Sequence, residues 1–139
     1  MSGWLVKSEP FVYAWDQLVK DGKTCWDGVR NYQARNYLLQ MRKGDEVFFY
    51  HSNEGLSIVG IARVCREAYP DPGADDPRWV AVDLIPWRTL PRPVSLSQMK
   101  ADPRLKDMAL LRQSRLSVSP VREAEWKAIL ELAGWQENV

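Results

Sequence analysis

Four short segments of the sequence concentrate aromatic, amide, hydroxyl and positively charged side chains. They are residues 4–10 (WLVKSEP), 25–32 (CWDGVRNY), 48–53 (FFYHSN) and 110–121 (LLRQSRLSVSPV). Each segment ends a predicted strand or lies in a predicted loop, where binding groups are usually displayed. Aromatic faces beside hydrogen-bonding groups and positive charges suit a pocket that stacks a planar ring and reads its edge.

The candidate pocket residues divide into a stacking wall and a hydrogen-bonding rim. Trp26 is the predicted stacking side chain, and the alternative is that its ring covers the core. Ser8 is the predicted contact to the ring edge, while Glu9 either accepts from an exocyclic amine or caps the following helix. Asn31 both donates and accepts, which suits edge recognition, although asparagine also stabilises turns by itself. The full predicted set is Lys7, Ser8, Glu9, Trp26, Val29, Asn31, Tyr50, His51, Ser52 and Trp79.

Two members of this set also fit structural roles. Residues 50–53 alternate at a strand end, so two of them are expected to face each side. Ser52 is the expected pocket donor, whereas His51 fits a structural histidine better than a catalytic one. Trp79 begins an alternating strand, which favours a place in the core over a place in the pocket.

Two arginines separated by neutral donors form a predicted backbone-binding loop. The set is Arg112, Gln113, Ser114, Arg115 and Ser117, together with Arg30. Guanidinium and hydroxyl groups are typical contacts of phosphates. The alternatives are a solvated loop for the main set and a nearby carboxylate as the partner of Arg30.

The scarce residues exclude several kinds of chemistry. With two cysteines and one histidine, none of them in ligand spacing, the sequence does not predict a zinc site. Cys25 and His51 are not expected to form a nucleophilic pair, and no nucleophile elbow, P-loop or dinucleotide fingerprint occurs. We therefore expect no catalytic residues, no metal and no cofactor.

The composition of the 139-residue chain is that of a globular domain, with a formal net charge of +1. Residues 1–43 contain seven basic and four acidic side chains, residues 44–86 three and eight, and residues 87–139 nine and six. A local basic face is therefore possible if the two ends meet. We expect one domain over residues 1–139, and a monomer in the cytoplasm. We expect no membrane contact, since no apolar run has the length of a spanning helix.

Hydrophobic periodicity predicts short strands and short helices in the first two thirds of the chain. The predicted strands are residues 4–6, 46–51, 56–64 and 79–85, the last with an extension over 87–90. The predicted helices are residues 11–20 and 33–41, and the predicted loops are residues 23–32 and 68–78. The acids of the second loop, Asp71, Asp75 and Asp76, are expected to be solvated turn formers.

The last third is predicted to mix helices with one short strand. Ser95 and Gln98 have the spacing of a capping box for a helix ending near residue 101. Residues 105–111 are predicted to form a further helical turn and residues 117–118 a strand. Ser119 is predicted to cap a final helix that has Pro120 at its first position and Trp126, Ile129, Leu130 and Ala133 on one face. These elements predict an α+β fold, a small, partly closed β-barrel flanked by short helices.

At these residues the sequence resembles the EVE domain family of small bacterial proteins. The resemblance extends from WLVKSEP through WDGVRNYQAR and FYHSN to RQSRLSVSPV, with IVGIARV, AYPD and WVAVD between them. It implies a PUA-like β-barrel, related to YTH and ASCH domains, and a reader of modified DNA or RNA bases.

The resulting hypothesis is a non-catalytic module that binds nucleic acid and holds one modified base outside its stack. Trp26 stacks on the base, Ser8, Asn31 and Ser52 read its edge, and the arginines hold the flanking backbone. One alternative is a protein that binds a free nucleobase, nucleoside or anion in the same pocket. The other is an accessory to an RNA-modification enzyme.

Overall fold

The computed structural model describes residues 3–135. Its strands are β1 (Gly3–Ser8), β2 (Thr24–Trp26), β3 (Glu46–His51), β4 (Ser57–Pro70), β5 (Val80–Ser95) and β6 (Val118–Val121). Its helices are α1 (Trp15–Asp21), α2 (Tyr32–Gln40), α3 (Leu96–Ala101), α4 (Ala109–Arg112) and α5 (Glu123–Leu132), with a 3₁₀ turn at Pro103–Leu105. Along residues 3–135, no helix combines the length and the apolar character needed to cross a bilayer.

The six strands form one mixed sheet in the order β2-β5-β4-β3-β1-β6. Strands β1 and β3 are parallel, and the other neighbours are antiparallel. The predicted α+β class is confirmed, with short helices flanking the sheet, but the sheet is not closed into a barrel. In residues 3–135, β2 and β6 are its two edges.

Both faces of the central strands are buried, which explains their continuous apolar sequences. In β1, Trp4 and Val6 belong to one hydrophobic cluster and Leu5 to the other. Helices α1 and α2 cover the first cluster with Trp15 and Leu38, among others. Helices α3 and α5 cover the second cluster, in which the ring of Trp126 stacks on Phe48 at 3.7 Å.

Strands β4 and β5 are longer than the sequence predicts. Strand β4 continues to Pro70, so residues 68–70 are not part of a loop, and β5 continues to Ser95. Four register shifts between the two strands accommodate the irregular sequence. The prediction of a loop over residues 23–32 is also wrong for β2, because a three-residue strand is too short to show a period.

The ends of two helices also differ from the prediction. Ser119 and Pro120 do not begin a helix; they lie in edge strand β6 opposite Leu5 and Trp4, where proline is tolerated. Helix α5 begins at Glu123. Helix α1 begins at Trp15 rather than at residue 11, because residues 9–13 form a turn. The capping box of Ser95 and Gln98 is confirmed by both of its hydrogen bonds.

Candidate functional site

One cavity of about 630 Å³ lies where the end of β1 approaches β2. Its walls are the end of β1 with the turn after it, β2 with the loop after it, residues 52–53, and the segment that leads into β6. Because β2 and β6 are opposite edges of the sheet, the sheet must curve for β2 and the segment that leads into β6 to border one cavity. The volume is that of an ordinary ligand pocket.

Most of the predicted site residues border this cavity. They are Lys7, Ser8, Glu9, Trp26, Val29, Arg30, Ser52, Ser114, Arg115 and Ser117. The segments that carry them are far apart in sequence and meet only in the fold.

Trp26 is a half-buried residue at the end of β2. Its ring contacts the ring of Phe49 at a centroid distance of 5.5 Å and an interplanar angle of 80°. The position of Trp26 agrees with its covering the core and leaves stacking on a ligand a prediction, since the residue packs against the core and also borders the cavity. The contact with Phe49 fixes the orientation of the indole.

Lys7 connects β1 to the segment before β6. Its Nζ donates to the carbonyl oxygen of Ser114 at 2.7 Å, and its backbone N–H donates to the carbonyl of Ser117 at 3.0 Å. Burial lowers the pKa of the Lys7 ammonium. Within residues 3–135 no carboxylate pairs with it, so its remaining N–H groups can donate to a ligand in the cavity.

Ser8 and Glu9 begin the turn over residues 9–13. The Ser8 hydroxyl donates to the carbonyl of Tyr13 at 2.6 Å, so toward a ligand this oxygen can act only as an acceptor. The carbonyl of Glu9 accepts the backbone N–H groups of Val12 and Tyr13, each at 2.9 Å. In the described part of the chain, the carboxylate of Glu9 has no hydrogen-bond partner.

A buried carboxylate holds the loop that follows β2. Oδ2 of Asp71 accepts from the backbone N–H of Gly28 and from Nη1 of Arg30, both at 2.9 Å, and Oδ1 accepts from the N–H of Gly73 at 2.7 Å. Burial alone would raise the pKa of Asp71, but the hydrogen bonds from Arg30 and the two glycines outweigh it and lower that pKa.

The prediction that Asp71 is a solvated turn former is therefore wrong. Only 4% of the residue is exposed, and its contacts position one wall of the cavity. The structure also gives Arg30 the carboxylate partner that was its alternative interpretation.

Four predicted pocket residues lie outside the cavity. Oδ1 of Asn31 accepts from the N–H of Ala34 at 2.9 Å and so caps α2. Tyr50 is buried in the second hydrophobic cluster. Nε2 of His51 accepts from the N–H of Trp15 at 3.1 Å. Trp79 lies against Tyr32 with a centroid distance of 4.9 Å.

Burial lowers the pKa of His51, against a smaller opposing effect of Asp16. The neutral imidazole agrees with its role as an acceptor for Trp15.

Arg112 and Gln113 border a second hollow of about 330 Å³ instead of the main cavity. Ser114 and Arg115 border both hollows, so this loop separates them. Arg112 is paired with Asp107 at 2.9 Å. Arg115, by contrast, forms no ion pair within residues 3–135.

Several residues of the cavity were not predicted: Val12, Tyr13, Thr24, Cys25, Asp27, Gly28 and Asn53. Asn53 has a φ of 66°, a conformation that asparagine adopts more readily than most residues. The turn-forming sequence SNEG at residues 52–55 was therefore a usable signal. Cys25 belongs to the unpredicted strand β2.

The thiol of Cys25 has a partner other than histidine. The Tyr69 hydroxyl lies 3.0 Å from Cys25 Sγ and also donates to the carboxylate of Asp83. Burial raises the pKa of the Cys25 thiol, and its contact with the Tyr69 hydroxyl only partly opposes this effect. No group of three or more potential metal ligands is clustered within residues 3–135.

Comparisons with known proteins identify relatives across nearly the whole chain. The sequence profile of the EVE domain matches residues 2–132. Human thymocyte nuclear protein 1 is 36% identical over 165 residues, which cover 94% of this chain and 73% of the human protein.

Solved structures superpose closely. An NMR structure of a protein from Rhodopseudomonas palustris has a TM-score of 0.94 at 50% identity, covering 99% of this chain and 97% of its own. A crystal structure of the human THYN1 protein in complex with 5-methylcytosine-containing DNA has a TM-score of 0.90 at 34% identity, covering 99% and 100%. These likenesses confirm the predicted PUA-like fold.

An ASCH protein from Zymomonas mobilis has a TM-score of 0.60 at 13% identity over 94% of each chain, a likeness of fold alone.

Proposed function

The chain belongs to the EVE domain family, and on that basis we propose that it binds nucleic acid and holds a modified base in the cavity beside Trp26. The observation that carries the proposal is the position of Trp26, an indole fixed against Phe49 at the border of a cavity that also contains cationic and anionic side chains. The human THYN1 protein was crystallised with 5-methylcytosine-containing DNA, so 5-methylcytosine is the first candidate base.

Stacking on Trp26 supplies part of the binding energy. Stacking of a base on an aromatic side chain contributes about 1–3 kcal/mol, whereas extruding a base from its stack costs a few kcal/mol. Stacking alone therefore does not offset extrusion. Contacts to the base edge and to the backbone must provide the remainder.

The base edge is read by groups of opposite polarity. The carboxylate of Glu9, which has no partner within residues 3–135, suits the exocyclic amine of cytosine, which donates. The ammonium of Lys7, fixed by Ser114, suits the ring nitrogen and carbonyl that accept. Ser8 adds an acceptor, because its proton is already donated to Tyr13. This pattern favours cytosine over thymine, whose corresponding edge carries a carbonyl.

The loop over residues 112–117 holds the backbone on the flanking side. Arg115 borders both hollows without an ion-pair partner in the described residues, and Ser114, Ser117 and Gln113 add neutral groups beside it. Since the net charge of the whole chain is only +1, affinity for phosphates must arise from such local groups. The proposal also takes the chain to act as one domain, as a monomer and in the cytoplasm.

Fluorescence anisotropy with labelled oligonucleotides tests the proposal. One sequence is prepared as DNA and as RNA, with cytosine, 5-methylcytosine or 5-hydroxymethylcytosine at a single position, and measured at two salt concentrations. We expect salt-dependent binding with a preference for one modified form. Equal, weak binding to every oligonucleotide would contradict the proposal.

Variants of two glutamates sharpen this test. With a further oligonucleotide that has thymine at the probed position, Glu9→Ala is expected to reduce the preference for cytosine over thymine. Glu54→Ala is the matched control, because Glu54 is exposed and does not border the cavity. If both variants kept the preference of the wild-type protein, Glu9 would not read the base.

The second candidate function is the binding of a free nucleobase or nucleoside. The near-neutral net charge favours it, because binding of a neutral small molecule requires no phosphate contacts. This function predicts equal affinity for a nucleoside and an oligonucleotide, with little dependence on salt. The same anisotropy series, with free nucleosides as competitors, distinguishes the two functions.

A further inference from the structure

Two apolar side chains project into solvent beside the cavity. Phe11 is 70% exposed and Val12 is 72% exposed, the highest values for large hydrophobic residues within residues 3–135. Val12 itself borders the cavity. Exposed apolar surface often marks a binding surface, so this pair is a candidate contact for whatever the cavity binds.

The turn that carries the pair is held in a defined shape. The Glu9 carbonyl accepts two backbone N–H groups, from Val12 and Tyr13, and Ser8 Oγ donates to the carbonyl of Tyr13. The Tyr13 hydroxyl donates to Asp21 Oδ2 at 2.9 Å, which ties the turn to the end of α1. Pro10 further restricts the backbone. The apolar tip is therefore presented at a fixed distance from the cavity.

We propose that Phe11, supported by Val12, inserts into the base stack of a duplex and fills the space that the extruded base leaves. This inference rests on the proposed function and extends it, because it assigns a double-stranded target. Proteins that bend or open duplexes insert apolar side chains between base steps in this way. The cavity would hold the extruded base, and the side chain of Phe11 would occupy the position that the base leaves in the stack.

The contribution of Phe11 to binding should differ between a duplex and a single strand. In a duplex, extrusion leaves two neighbouring base pairs unstacked and one base without its partner, so an inserted phenyl ring restores contacts with base faces. In a flexible single strand, the neighbouring bases are not held apart, and the ring has no fixed gap to fill. Phe11 should consequently matter for duplex binding and not for the occupation of the cavity by a single-stranded base.

The test compares a duplex and its single strand, each with one 5-methylcytosine, by fluorescence anisotropy. Phe11→Ala is expected to weaken duplex binding about tenfold and to leave single-strand binding within about twofold of the wild-type value. Val19→Ala is the matched control, since Val19 is 50% exposed on α1 and does not border the cavity. It should alter neither affinity. Thermal unfolding verifies that the variants remain folded.

A second readout follows the base stack directly. The duplex carries the fluorescent base 2-aminopurine next to 5-methylcytosine. We expect Phe11→Ala to change the emission of the bound 2-aminopurine relative to the wild-type complex, because the ring no longer contacts it.

The outcomes distinguish failure of the proposed insertion of Phe11 from failure of the proposed function. Equal losses on duplex and single strand, or no loss on either, would overturn the role of Phe11 while a preference for 5-methylcytosine preserved the base-reader function. If the wild-type protein bound neither form, the role of Phe11 would be overturned, and the proposed function would fail with it only if no oligonucleotide of the DNA and RNA series were bound either. Loss of self-association in Phe11→Ala, measured by analytical ultracentrifugation, with unchanged DNA binding would identify the tip as a contact between two copies instead.

Discussion

The carboxylate of Asp71 lies 2.9 Å from the guanidinium of Arg30, and the same oxygen accepts the backbone N–H of Gly28 at 2.9 Å. These partners are more than 40 residues away along the chain. The carboxyl side chain is 1% exposed, whereas the arginine is 42% exposed. The carboxylate of Asp71 thus fixes the loop that follows Trp26 and orients the guanidinium of Arg30 at the end of that loop.

We predict that Asp71→Asn lowers the free energy of unfolding by about 1.5–3 kcal/mol, the typical contribution of a hydrogen bond to a charged group. The amide also loosens the loop, so base affinity should fall. Urea unfolding and oligonucleotide binding measure the two effects. Asp75→Asn, in the same loop but exposed, should change neither quantity. A fully stable Asp71→Asn variant would contradict the assignment.

The contribution of Asp71 to the free energy of unfolding should be lost as the pH is lowered. Its pKa in the folded state is lowered from the ordinary value of 3.8, so its contribution to stability is complete above that value. The contribution is lost as the pH falls below 3.8 through the folded-state pKa. Urea unfolding between pH 5 and pH 2 should show a smaller pH dependence for Asp71→Asn than for the wild-type protein.

His51 should make stability depend on pH in a higher range. Burial lowers its pKa below 6.5 in the folded state, so the unfolded chain binds a proton more readily. The free energy of unfolding should therefore decrease as the pH falls from 7 through 6.5 toward the folded-state pKa. His51 is the only histidine in the sequence. His51→Gln, which retains an acceptor for Trp15, should abolish this slope, and an unchanged slope would refute the prediction.

Trp26→Ala should abolish the preference for a modified base. Because Trp26 also packs against Phe49, the same change should destabilise the fold by about 2 kcal/mol, less than for a fully buried tryptophan. Trp26→Phe retains an aromatic face and should keep part of the preference. Anisotropy at a temperature where both variants are folded makes the comparison. Equal preference in Trp26→Ala and the wild-type protein would remove Trp26 from the site.

Arg115→Gln should weaken binding to modified and unmodified oligonucleotides alike. Loss of one phosphate contact to duplex DNA should reduce the slope of log K against log salt by about 0.9. Arg112→Gln should have a smaller effect, since Arg112 is already paired with Asp107. The salt series of both variants gives the two slopes. An unchanged slope for Arg115→Gln would show that this side chain does not contact phosphate.

The central strands and the segments of the site were predictable because local sequence determines them. Leu5 and Phe48 belong to apolar runs buried on both faces, and Ser8 and Trp26 belong to polar segments at strand ends. The role of Asp71 was not predictable, since its partners Gly28 and Arg30 come from a distant part of the chain. A local pattern carries no signal of such a tertiary contact.

The position of residues near β3 was misjudged for another reason. The side chains of β3 alternate regularly, with Val47 and Phe49 in the first hydrophobic cluster and Phe48 and Tyr50 in the second. Because both faces of the strand are buried, alternation does not show which side chains reach the cavity, and Tyr50 lies in the core instead. Asn31 shows a further ambiguity, because the side chain that suits base recognition equally suits the start of a helix.

In the open sheet, a base held in the cavity as proposed would bridge the two edges. A ligand in the cavity contacts β2 at one edge of the sheet and the segment entering β6 at the other, two regions that share no backbone ladder in the described residues. The ligand would thus connect the two edges of the sheet, which no strand pairing connects in the described residues. Amide hydrogen exchange should therefore slow at both edges together when the ligand binds, by an amount set by its concentration relative to Kd. Unfolding of the domain should therefore be more cooperative when the cavity is filled than when it is empty.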